Sequence, residues 1–115
     1  MIKFEIPVKL VNNNEYIRMH WTKRKIYHGL IKDEIYCAVP FKCNNGKPRA
    51  KKRVSVLYIT KARKPYDKDN LYGMCKPLVD RLRELELIRD DSPEYLDLYV
   101  NYKRGSEYKV KVEIH

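Results

Sequence analysis

LYGMCKPLVDRLREL, residues 71–85, decides how the rest of the chain is read. Leu71, Cys75, Leu78, Leu82 and Leu85 recur at three- and four-residue spacing, the stripe that an amphipathic helix buries. Asn70, just ahead, is a suitable N-cap. Pro77 lies inside the pattern, where it cannot donate to residue 73 and its ring presses on that carbonyl. Residue 73 is glycine, which adjusts its backbone most cheaply. The spacing therefore predicts a first turn at 70–75 and then a kink or restart, not a straight helix.

The flanks of this stretch read as strands. Val54 to Ile59 is rich in β-branched residues. Leu96 to Lys103 and Tyr108 to Ile114 are two more, joined by Arg104-Gly105-Ser106-Glu107, whose length and composition suit a hairpin. Upstream, Tyr27, Ile31, Ile35 and Ala38 mark a helix over about Thr22 to Val39, weakened at Gly29 and stopped by Pro40. Ile2 to Leu10 alternates apolar and polar residues, a strand with one buried face, and the Asn-rich stretch from Val11 to Glu15 signals a loop. The order β-α-β-α-β-β predicts a single α+β domain over 1–115, with two main helices and a mixed or mostly antiparallel sheet.

Composition narrows the class. With 43% hydrophobic and 35% charged residues, the chain can bury one modest core. No apolar run is long enough to span a membrane, and MIKFEIPVKL alternates where a signal peptide would be continuously apolar. A cytoplasmic protein is the default expectation. Cys37, Cys43 and Cys75 form no CxxC pair, and His20, His28 and His115 no ligand pair, so any metal would be held by oxygen. The charge is lopsided: the first 66 residues hold 16 Lys and Arg against 4 Asp and Glu, while the remaining 49 hold 9 against 11. Positive charge gathered in one half favours polyanion binding, above all nucleic acid; a merely solvated surface is the plain alternative.

Four aspartates interrupt that pattern. Asp67 and Asp69 are two residues apart, so on an extended segment both side chains point the same way. Asp90 and Asp91 follow the helix. Carboxylates crowded on one face repel unless protons or a cation intervene, and hard divalent cations choose such oxygens. The competing explanation is structural, since Asp caps helix starts and Asp-Asp-Ser-Pro is ordinary turn chemistry.

D-K-D-N-L (67–71), K-P-L-V-D-R-L (76–82) and L-I-R-D-D-S-P (87–93), taken in order, resemble the RusA family of Holliday junction resolvases. These are dimeric Mg²⁺-dependent endonucleases often carried by phages. The resemblance implies that Asp67, Asp69 and Asp91 are catalytic metal ligands, with Asp90 the neighbouring acidic position and Lys76 the lysine assisting catalysis. It implies Mg²⁺ or Mn²⁺ as cofactor, four-way or otherwise branched DNA as partner, and a homodimer. Tyr72, Gly73 and Met74 depart from the family's compact form by adding about one helical turn before the lysine. The motif portion covers about residues 66–95; the other strands and the Asn-rich loop agree only in order.

Geometry raises a difficulty. A straight helix over 71–86 would be about 24 Å long, and the five residues to Asp91 return at most about 18 Å. Either the kink folds the chain back or a two-fold partner supplies the second acidic pair. For phosphate contact the candidates are Lys23, Arg24 and Lys25, then Lys47, Arg49, Lys51, Lys52 and Arg53 in the basic run 43–53. An exposed helix face is the alternative for the first group and a solvated hairpin connection for the second. Trp21 is expected in the core, the ten tyrosines in packing roles. A non-catalytic DNA-binding or regulatory module with this fold is the competing class, and a nuclease for RNA or flap substrates a further alternative.

Overall fold

The computed structural model describes residues 1–39 and 48–115. Strand β1 (Ile2–Ile6) leads to a short helix α1 (Asn13–Arg18) and the long α2 (Trp21–Ala38). Strand β2 (Lys52–Thr60) precedes helices α3 (Lys68–Met74) and α4 (Lys76–Glu84), then strands β3 (Leu96–Arg104) and β4 (Lys109–Ile114). The architecture is the expected α+β domain with a mixed sheet, and the order of the main elements is as read. No helix among the described residues is long and apolar enough to cross a membrane. The helix stop expected at Pro40, and Cys43 to Lys47 of the basic run, lie outside the described residues.

The four strands run in the order β1-β4-β2-β3, with β3 parallel to β2 and the other pairs antiparallel. Alternation places every second side chain on one face, and the register lines them up in rows. Ile2, Ile114, Val54 and Leu98 form one row. Phe4, Val112, Val56 and Val100 form the next, and Ile6, Val110, Tyr58 and Tyr102 the third. Tyr27, Ile31 and Ile35 of α2 and Leu71, Leu78 and Leu82 of α3 and α4 belong to the same buried cluster. This is the helical stripe that the spacing predicted.

The hairpin expected between the last two strands does not form. Strand β2 lies between them, and the chain crosses over its end, where the Gly105 N–H donates to the Thr60 carbonyl at 2.9 Å. The reason is burial. Val54, Val56 and Tyr58 of β2, like Val110, Val112 and Ile114 of β4, are fully inside, so both strands take central places. Strand β3, with exposed Tyr99, Asn101, Lys103 and Arg104, tolerates an edge. The crossing needs glycine: a Cβ at residue 105 would stand 2.6 Å from Ile59 Cγ2.

The expected restart is present. Helix α3 ends at Met74, Cys75 makes the joint, and Pro77 falls in the first turn of α4, where its missing N–H leaves nothing unsatisfied. The N-cap is Asp67 rather than Asn70, so the helix begins about one turn earlier than Asn70 suggested. Gly73 serves a close approach: the Asn13 side chain lies 2.3 Å from where its Cβ would be.

The Asn-rich stretch is helical, contrary to the loop reading. Asn12 caps α1, its Oδ1 accepting the Glu15 N–H at 2.9 Å, so asparagine here starts a helix instead of avoiding one. Tyrosine hydroxyls fix the approach to it, Tyr58 and Tyr27 accepting the N–H groups of Leu10 and Val11. Tyr72 ties α3 to the edge strand, donating to the Leu98 carbonyl and accepting from the Val100 N–H.

Candidate functional site

Lys76 opens α4, and its ammonium bonds the carboxylate of Asp91 from the loop before β3. It also lies 3.1 Å from Asp80, one turn along the same helix. Two turns along, Arg83 Nη1 stands 3.7 Å from Asp90 and 3.8 Å from Asp91. Asp90 Oδ1 accepts the Asp91 N–H at 2.8 Å and holds the turn in shape. The second and third motif segments are therefore in direct contact.

A helix ending brings them together. The Leu87 N–H donates to the Leu82 carbonyl and the Glu86 N–H to that of Arg83, the paired bonds of a Schellman ending. Glu86 takes the left-handed residue, at φ 62°. The chain thus reverses sharply, and Ile88 to Asp91 return beside α4 instead of reaching back along a kinked helix. A residue with a Cβ loses roughly 1–2 kcal/mol in that region, part of which glycine gives up in entropy. Glu86→Gly is expected to stabilise the fold by about 0.5–1 kcal/mol, read as a higher urea midpoint at unchanged slope.

The hydrogen bond from Lys76 holds the Asp91 carboxyl below its ordinary 3.8, and the same bond raises the ammonium above 10.5. The folded protein therefore protonates Asp91 less readily than the unfolded chain does. That contribution to stability is present above pH 3.8 and is lost as pH falls through the depressed folded value. Lys76 is mirrored: its contribution is full below 10.5 and disappears as pH rises through its raised value. Lys76→Met should destabilise the protein near neutral pH, by no more than about 1 kcal/mol since its side chain is exposed. The difference from the parent should close in acid, and urea midpoints measured across pH check this.

Asp67 and Asp69 sit at the start of α3, both exposed. The extended segment that would point them the same way is replaced by helix from Lys68 onward, where residues two apart face different directions. Acidic groups suit this end of a helix, though Asp67 makes no side-chain capping bond. Carboxylate oxygens are the ligands a hard divalent cation takes, so the donor chemistry fits Mg²⁺. Their arrangement within one chain does not complete a site: among the described residues no three His, Cys, Asp or Glu side chains are placed to hold a metal.

The expected phosphate contacts divide. Lys23, Lys25 and Arg49 are exposed. Arg24 is committed to the fold, its guanidinium donating to the carbonyls of Tyr16 and Ile17 that end α1 and lying over the Tyr16 ring. Lys51 pairs with Asp97 at 3.2 Å, Lys52 is half-buried, and Arg53 lies over Tyr99. Lys47 is outside the described residues. Trp21 corrects the core expectation: it is 69% exposed, because the buried face of α2 centres on Tyr27 and Ile31 and position 21 falls off it.

Several residues had no role in the sequence reading. Arg83 is seven residues from Lys76, the spacing that puts both on one helical face, and that signal was readable. His20 caps α2 by accepting the Thr22 N–H, and His28 Nε2 bonds the Tyr16 hydroxyl at 2.7 Å. Burial, then the Arg81 guanidinium, push His28 below its ordinary value. Cys75, by contrast, was placed in the buried stripe by its spacing and is fully buried; its thiol is pushed up to about 12, so it is no nucleophile near neutral pH. No family model matches the chain, and no curated protein is significantly similar to it.

Proposed function

We propose that the protein is a divalent-metal-dependent endonuclease for branched DNA, acting as a homodimer. One observation carries this reading: the Lys76 and Asp80 segment and the Asp90-Asp91 segment form one charged cluster, with Lys76 bonded to Asp91. Order along the chain alone did not require that contact. The RusA-like motif supplies the activity and the basic N-terminal half supplies attraction for a polyanion. When bound, the ion supplies activation of water and neutralisation of phosphate charge. The chain's own groups have separate tasks. Lys76 offsets Asp80 and Asp91 in the free protein and presents a cation to an arriving phosphate, and Asp90 fixes the turn that carries Asp91.

A non-catalytic DNA-binding module is the second reading. It is favoured by the Lys76 ammonium already neutralising Asp91, and by the lack of a three-donor group within one chain among the described residues. A synthetic four-way junction separates the two. The enzyme nicks it in Mg²⁺, stops when a chelator is added, and spares a linear duplex of the same sequence. Tight junction binding with no nicking of any branched substrate, in Mg²⁺ or Mn²⁺, would select the module.

A further inference from the structure

We propose that the groove between α2 and α4 binds an unpaired nucleotide, with its base stacked on Trp21 and its phosphate held by Lys25, Lys32 and Arg81. This rests on the nucleic-acid part of the proposed function and not on the cutting chemistry.

Trp21, Lys25, Gly29 and Lys32 recur at four-, four- and three-residue spacing, so they share one face of α2. Arg81 and Glu84 of α4 form the opposite wall of the same groove. Single exposed apolar residues are ordinary, but this indole borders a cationic cleft. His20 extends its aromatic surface, with ring centroids 5.6 Å apart. Gly29 leaves the floor open: nothing lies within 4 Å of where its Cβ would be. A flat ring needs such a floor.

Charge identifies the occupant as an anion. Four cations, Arg24, Lys25, Lys32 and Arg81, line the groove against one carboxylate, Glu84. Lys32 and Arg81 share that carboxylate, at 3.5 and 3.1 Å. Arg81 is 8% exposed, and its Nε has no hydrogen-bond partner among the described residues. The Nε is itself closed off from the surface, so an arriving phosphate would meet Arg81 through its outer guanidinium nitrogens and its charge. An acidic peptide would satisfy the cations but has no use for an exposed indole over an open floor. A base with its phosphate uses both.

Trp21 is the chain's only tryptophan, so its emission reports on the groove directly. The titrant is oligothymidylate, added with chelator present so that cutting plays no part. Expected are strong quenching of the emission by the single strand and little by a duplex or by polyglutamate of matched charge. Read by the anisotropy of a dye-labelled oligothymidylate, since these variants have no tryptophan, Trp21→Ala should weaken single-strand binding by roughly tenfold, the scale of one stacked base, while Trp21→Phe keeps most of it. Lys25→Gln and Lys32→Gln should each lower the slope of log K against log salt by about 0.7. Since these side chains are exposed or half-exposed, circular dichroism should be unchanged. Binding without quenching, equal quenching by duplex or polyglutamate, or unaltered affinity of Trp21→Ala would each overturn the proposal. Loss of junction cutting with quenching intact would count against the nuclease reading alone.

Discussion

Asp91→Asn and Asp69→Asn are each expected to reduce four-way-junction cutting by at least about a hundredfold, beyond the 10–100-fold range seen when only outer groups of a metal site are changed. Junction binding should survive both. The two substitutions test different things. Asp91 is fixed by Lys76 and by the turn that Asp90 holds, so its carboxylate has a definite position. Asp69 stands at the open end of α3. Equal losses would mean that both carboxylates serve one reaction although no three-donor group exists within a single chain among the described residues. Mixing Asp69→Asn chains with Asp91→Asn chains then locates the missing ligand. Recovery of part of the activity in the mixed dimer means that sites are built from both chains. No recovery places each site within one chain, closed by movement of α3 toward Asp91. If neither substitution alters cutting, these two carboxylates are structural and the reaction is carried by other groups.

Leu82→Ala is expected to lower stability by about 3 kcal/mol, within the 2–5 kcal/mol of buried Leu-to-Ala changes. For a domain of this size that is a fall in melting temperature of roughly 10 °C or more. Leu82 is fully buried in the cluster that joins α4 to the sheet. It also stands at the start of the Schellman ending, whose far side, Leu87, is in the same cluster. Loosening this point should therefore also relax the return of Asp90 and Asp91 onto Lys76. Calorimetry gives the stability. The Asp91 carboxyl, titrated by NMR, should move toward its ordinary value as the Lys76 contact weakens. A loss under about 1 kcal/mol would mean that the site collapses round the deleted methyls.

The sequence by itself determined what depends on residues a few positions apart. The inward faces of the strands, the α2 stripe of Tyr27, Ile31 and Ile35, and the break between α3 and α4 all follow from spacing and from Pro77. These are local signals: periodicity fixes which side of an element is apolar, and a missing N–H fixes where a helix restarts. Asn12 to Asn14 misled because asparagine serves loops and helix caps alike, and the Asn13 side chain over Gly73 is a contact across the fold. The tertiary structure alone decided the order of the strands, the exposure of Trp21 and the meeting of Lys76 with Asp91. Each depends on which distant surfaces compete for burial. β2 and β4 took the centre of the sheet because their side chains could not be left at an edge, and the left-handed turn at Glu86 aimed the acidic pair at the start of α4.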